Sequence, residues 1–268
     1  MTKAFAPGNI SCIFRIHKGE TSETTGSTGV GFTINKGAAV TAEKSTQTKI
    51  LFNGNEIAID PVASIIKKLT NVPLKISILS ELPLGGGFGL SGAATLATAY
   101  AINDLLNLQK EKLELARLSH IAEVENGTGL GDITNEYFRG FLLKIEPSFM
   151  FKVIKLPIDN IKIYCRFFSS LETKSVIQNS AIKEKIDKAG KTAIEKINAL
   201  YKNKKITLEN VITISKEFAV ESGLLQNQEV IKTMQEIENN GGVASMIMLG
   251  NGVFSNIPFE HSLEFTIG

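Results

Sequence analysis

Through the first 80 residues, apolar and β-branched positions come in short runs broken by Gly, Asn and Ser. Runs at 9–16, 29–35, 38–42, 48–53 and 74–79 predict strands, and the amphipathic spacing at 60–69 predicts one helix among them. After a glycine cluster, residues 91–107 are dominated by Ala and Leu, which predicts a buried helix, and 109–126 predict a second. Gly127, Gly129 and Gly131 break that pattern, placing Asp132 in a glycine-rich loop, and 138–145 with 149–156 read as a hairpin around Pro147. Beyond Pro157 the pattern predicts a strand at 161–168, a long charged helix at 174–202, helices at 208–224 and 227–239, and strands at 243–249 and 252–257. Strands and helices interleave without a regular βαβ repeat. That order implies an α+β fold in two lobes, divided at Pro157 into 1–157 and 158–268.

Composition narrows the partners. The chain has 268 residues and is 43% hydrophobic, enough for one large core or two modest ones. Lys and Arg (29) nearly balance Asp and Glu (27), and a net charge of +2 argues against nucleic acid or membrane and for a small-molecule substrate. The Lys-rich stretch at 183–205 also carries acids, so it reads as a solvated helix face. Cys12 and Cys165 are too few for a disulfide framework and lack zinc-site spacing, which fits reduced thiols. No window reaches the roughly 18 apolar residues of a membrane span, and the first residues have no apolar signal core. The expectation is a cytoplasmic protein.

The richest chemistry lies at 83–94, where Pro83, Leu84, Gly85, Gly86, Gly87, Phe88, Gly89, Leu90, Ser91, Gly92, Ala93 and Ala94 run from a glycine loop into a helix. Uncovered amides and the positive end of a helix dipole favour an anion there, and missing side chains let a phosphate approach. A bland alternative is a glycine-rich turn capped by Ser91. A P-loop would need a Lys after the glycines, and none follows. Gly87, Gly89 and Gly92 meet the dinucleotide fingerprint with Asp104 as nominal ribose ligand, but a second helix stands where a parallel strand should.

The pattern of Pro83, Gly87, Gly89, Ser91 and Ala93 resembles the Pro-x-x-x-Gly-x-Gly-Ser-Ser-Ala-Ala motif of the GHMP kinases, with departures at Leu90 and Gly92. Residues 6–10 (Ala6-Pro7-Gly8-Asn9-Ile10) are similar to that superfamily's N-terminal motif, although Asn9 stands where a lysine is usual. Residues 241–254 are similar to its third, glycine-rich motif. Residues 25–32, 85–92, Gly131-Asp132 and 245–251 together resemble the archaeal pantoate kinase branch.

The resemblance implies a two-lobed GHMP kinase fold, with an N-terminal domain like ribosomal protein S5 domain 2 and a ferredoxin-like C-terminal domain. It implies ATP and Mg²⁺ as cofactors and pantoate as the acceptor, phosphorylated on its primary hydroxyl on the way to coenzyme A. Pro83, Gly85, Gly86, Gly87, Phe88, Gly89, Leu90, Ser91, Gly92 and Ala93 would wrap the triphosphate. Ser91 and Glu123 would hold Mg²⁺, and Asp132 would orient or deprotonate the acceptor hydroxyl. Ser27, His120 and Thr173 are the polar candidates for pantoate, and Lys144, with Arg139 as rival, is the candidate cation for its carboxylate. A kinase for a mevalonate-like or homoserine-like alcohol, a nicotinamide-dependent oxidoreductase and a non-catalytic binding protein remain alternatives. Oligomeric state is open, a homodimer included.

Overall fold

The computed structural model describes residues 1–169 and 180–268. Its N-terminal sheet grows from one long hairpin. Strand β1 (Thr2–His17) pairs antiparallel with β2 (Gly26–Lys44), from Thr2 opposite Ala42 to His17 opposite Gly26. The two predicted runs at 29–35 and 38–42 are therefore one strand. Gly37 permits this, because a Cβ there would stand 2.1 Å from the Ala6 carbonyl oxygen. The register slips between Pro7 and Asn9, where β2 carries two residues more than β1, an irregularity beside Asn9.

Strands β3 (Lys49–Phe52), β4 (Asn55–Glu56), β5 (Leu74–Leu79), β6 (Phe141–Lys144) and β7 (Ile154–Lys155) complete a sheet of order β4-β3-β5-β2-β6-β7, with β1 on β2. Only the β3–β5 pairing is parallel, which rules out a doubly wound sheet. Helices α1 (Asp60–Leu69), α2 (Leu90–Leu106), α3 (Lys112–Asn126) and α4 (Asp132–Phe138) form the layer beside it. Helix α2 packs on β1 and β2, and its run of buried alanines lets helix and sheet approach closely.

Two expectations need correction in this region. Residues 132–138 form α4, so Asp132 opens a helix rather than lying in a loop, and the strand predicted from 138 begins at Phe141. Seven residues are too few for a periodic signal. The predicted 138–145/149–156 hairpin is real but shorter, with a 3₁₀ turn at Ser148–Met150 between β6 and β7.

The second lobe holds β8 (Lys162–Ser169), α5 (Ser180–Lys202), α6 (Leu208–Glu221), α7 (Gln228–Asn239), β9 (Ala244–Met246), β10 (Asn251–Ser255) and β11 (Leu263–Thr266). Its sheet is antiparallel in the order β11-β8-β10-β9, and β11 was not anticipated. Thr207 and Asn227 start α6 and α7 by accepting backbone N–H bonds, as their residue types favour. Thr173 and the predicted start of the long helix lie outside the described residues. No helix among the described residues is long and apolar enough to cross a membrane.

One apolar core runs through both lobes. Phe32 of β2 is its pivot, with its ring 5.0 Å from Phe141 and 5.8 Å from Phe254 of the second sheet. Replacing Phe32 by Ala removes contacts in both lobes at once. The expected loss is about 3–5 kcal/mol of unfolding free energy, read by urea denaturation. A loss below about 1 kcal/mol would show that the lobes do not share this core.

Candidate active site

The glycine loop is left-handed at Gly85, Gly87 and Gly89, with φ of 72°, 79° and 60°, a conformation that costs Gly nothing. Gly89 is the N-cap of α2 and offers no side-chain cap, so the first-turn amides stay uncovered by any side chain. The helix starts at Leu90, one residue earlier than expected, and Ser91 does not cap it. Its Oγ donates instead to Glu123 Oε1 at 2.7 Å. Leu90, where the motif has a hydroxyl, is buried.

Two partners hold this loop. On one side the Asn9 amide donates to the Phe88 carbonyl at 2.8 Å. On the other, the turn after β9 sits directly on the glycines, for a Cβ on Gly250 would stand 2.4 Å from the Gly86 carbonyl oxygen. Thus the third glycine motif belongs to the same site as the first two.

Helix α3 carries Glu123 and the start of α4 carries Asp132 into a cleft of about 420 Å³ that the loop also lines. Glu123 Oε2 is buried and has no hydrogen-bond partner. Gly129 explains how it meets Asp132: a Cβ there would stand 2.7 Å from Glu123 Oε2 and 2.9 Å from Asp132 Oδ2. Two carboxylate oxygens thus flank a space that only a glycine leaves open. A hard cation held on the Glu123 side and completing its shell with phosphate and water oxygens fits this space, which is how Mg²⁺ binds. Among the described residues no group of three or more His, Cys, Asp or Glu forms an all-protein metal cage.

Burial pushes the Glu123 carboxyl up to about 7, against the opposing bonds from Ser91, Thr128 and Thr95. Asp132 keeps some contact with solvent, yet the protein around it also raises its carboxyl, while the Lys144 ammonium and the Asn9 and Ser11 side chains pull it back down. Lys144 is itself lowered to about 8 by burial, with Asp132 and Glu136 opposing.

Behind the cleft lies a buried polar network. Asn9 Nδ2 donates to Asp132 Oδ1 at 2.6 Å, and Asn9 Oδ1 accepts from Asn135 Nδ2 at 2.6 Å. Lys144 Nζ donates to Asn135 Oδ1 at 2.9 Å and to the Gly131 carbonyl at 3.0 Å. Lys144 therefore brings from β6 the ammonium that Asn9 does not supply in the N-terminal motif. Asn9, Asn135 and Glu136 were not among the expected site residues. The one signal for Asn135 and Glu136 is their spacing of three and four from Asp132, legible only once a helix is assigned there.

The other expected residues divide. Ser27 faces Gly131, where a Cβ would stand 2.3 Å from its Oγ, so Ser27 and Lys144 flank the same residue. His120 is buried one turn before Glu123, and its Nε2 bonds the Thr25 carbonyl at 2.9 Å, holding the approach to β2. Arg139 is exposed at the opposite end of α4 from Asp132, and the structure does not bring it to the cleft. Asp104 is exposed near the far end of α2, and α3 rather than a strand follows, so the dinucleotide arrangement is absent.

Comparison with known proteins gives the family of the chain. Residues 57–140 match the GHMP kinases N terminal domain. Pantoate kinase of Methanocaldococcus jannaschii is 36% identical over 255 residues, covering 93% of this chain and 90% of that protein. The chain belongs to the pantoate kinase family. The pantoate kinase of Methanospirillum hungatei JF-1 is 30% identical, covering 94% and 86%. A solved structure described as a phosphotransferase related to the CoA biosynthesis pathway superposes with a TM-score of 0.81 at 26% identity, over 94% of this chain and 86% of that one. Membership makes the chain an ATP-dependent small-molecule kinase with the GHMP fold. Within that fold Ser91, Glu123 and Asp132 share one cleft, Ser27 and Lys144 flank Gly131, and His120 is buried against the Thr25 carbonyl.

A stability prediction follows from Glu123. The folded state binds its proton more tightly than the unfolded chain does, so this group's contribution is full below the ordinary carboxyl value of 4.5 and is lost as pH rises through about 7. Glu123→Gln should flatten that decline and stabilise the ligand-free protein at pH 8 by about 1–3 kcal/mol. Urea unfolding at pH 5 and pH 8 measures it, and equal pH dependence in the two proteins would count against the assignment.

Proposed function

We propose that this chain transfers the γ-phosphoryl group of ATP to the primary hydroxyl of (R)-pantoate, giving (R)-4-phosphopantoate for coenzyme A assembly, with Mg²⁺. The observation that carries the reading is the pair of facing oxygens, Glu123 Oε2 and Asp132 Oδ2, at the space left by Gly129 beside an uncapped helix N-terminus. Phosphoryl transfer needs alignment and charge neutralisation more than covalent chemistry, and each part of the cleft supplies one of these.

Amides of residues 85–93 bind the triphosphate, with the α2 dipole adding to their field. Ser91 Oγ and Glu123 hold Mg²⁺, which when bound neutralises charge on the phosphates. Asp132 Oδ1 is occupied by Asn9, which leaves Oδ2 to orient the acceptor hydroxyl and take its proton. Lys144 stabilises the ionised form of Asp132 and, through the N–H that its two bonds leave over, can meet the pantoate carboxylate as a point charge. Ser27, His120 and Thr173 supply the remaining hydroxyl and imidazole contacts. We assign nucleotide binding chiefly to a domain at 1–157 and place the enzyme in the cytoplasm, where its buried thiols Cys12 and Cys165 stay reduced.

ADP release with (R)-pantoate against mevalonate and homoserine tests the acceptor. Turnover highest with pantoate is expected, and preference for another alcohol would move the reading to a different GHMP substrate. Tight NAD binding without ADP release would sink the kinase reading altogether. Asp132→Ala should lower kcat about 10²–10⁴-fold, and unchanged activity would leave only a binding protein. Glu123→Ala should raise the Mg²⁺ concentration needed for half-maximal activity, and an unchanged requirement would remove Glu123 from the metal.

A further inference from the structure

Glu136 has no part in the chemistry described above, yet it is among the most unusual groups in the molecule. It lies one helical turn after Asp132 on α4, is almost fully buried, and neither carboxyl oxygen has a hydrogen-bond partner. Its carboxyl is pressed against the back of the phosphate loop. A Cβ on Gly92 would stand 2.9 Å from Oε1 and 3.0 Å from Oε2, and one on Gly89 would stand 3.0 Å from Oε1.

Gly92 is otherwise hard to explain. It lies in the first turn of α2 with an ordinary negative φ, a position where alanine is the better helix former. The GHMP motif that this loop resembles has alanine there. Here the missing methyl group is the space into which the Glu136 carboxyl is wedged. The loop is thus clamped between Asn9 and Gly250 on its sides and Glu136 behind it.

We propose that Glu136 is a positioning residue of the phosphate loop, its carboxyl filling the space left by Gly92 and thereby setting the seat of residues 89–92 for the nucleotide. This rests on reading the loop as the triphosphate grip. Glu136 acts from behind, through Gly89 and Gly92, and touches neither substrate. Burial, together with the facing Asp132 and Glu123 carboxylates, holds its carboxyl well above the usual range, with Lys144 opposing and the Ala93 amide making a small opposing contribution. That direction reduces the negative charge behind the loop, where an anion would weaken the positive field of the helix N-terminus.

The test measures the dissociation constant of a non-hydrolysable Mg²⁺–ATP analogue by calorimetry, with steady-state KM values for ATP and pantoate alongside. Gly92→Ala should weaken nucleotide binding at least about fivefold, because its methyl group meets the carboxyl, while KM for pantoate stays within about twofold. Adding Glu136→Asp, which withdraws the carboxyl by one methylene, should restore nucleotide affinity to within about twofold of wild type. Glu136→Gln, of equal shape and neutral, should bind nucleotide as wild type does. Should Gly92→Ala fail to fold, Glu136→Asp alone leaves a void behind Gly92 and should weaken nucleotide binding a few-fold with kcat preserved.

The proposal is overturned if Gly92→Ala binds like wild type, if Glu136→Asp fails to rescue it, if ATP and pantoate constants move together, or if Glu136→Asp alone changes nothing. A wild-type protein that does not bind the analogue at all would instead overturn the kinase reading itself, and this inference with it.

Discussion

The site hangs on one buried residue, Asn9, which sits where the β1–β2 register shifts. Its backbone amide fixes Phe88 of the glycine loop, its Nδ2 fixes Asp132, and its Oδ1 fixes Asn135, which in turn receives Lys144. Three segments, the glycine loop, α4 and β6, are therefore registered on β1 by one residue. Each of these bonds lies in surroundings poor in water, where a lost partner strands a polar group at a cost of about 1–3 kcal/mol. A network of that kind is stable only when complete, so it holds one geometry and excludes neighbouring ones.

Charge is the opposing constraint. Three carboxyls, on Glu123, Asp132 and Glu136, share a buried region with one ammonium, Lys144. Burial pushes all three acids up, neighbouring carboxylates add to the shift for Glu123 and Glu136, and Glu123 Oε2 stays without a partner. A cation in the gap beside Gly129 would relieve that penalty, so the ligand-free fold gives up stability at this cleft.

The two lobes meet through glycine. Gly250 rests on Gly86 and Gly87 with no side chain between the two backbones, and Phe32 ties the sheets together beneath them. The shape of the phosphate loop thus depends on the second lobe, although its residues belong to the first.

Features written in contiguous residues were legible in the sequence. The glycine loop, the alanine-rich helix behind it, helix α3 and the GHMP resemblance all arise from short-range rules of backbone freedom and periodicity. Helix α4 was not, because seven residues carry too little periodicity, and β11 was not, because a four-residue strand is defined by its partner β8. The choice between Lys144 and Arg139 was equally beyond the sequence: both follow Asp132 closely, but only β6 returns beside Asn9, while Arg139 ends α4 in solvent. The sequence by itself determined that a phosphate grip exists and which family it belongs to, since those depend on local amides and missing side chains. Only the tertiary structure decided what stands behind the glycine loop, because Asn9 on β1 lies far along the chain from Glu136 on α4 and Lys144 on β6, and packing alone brings them together.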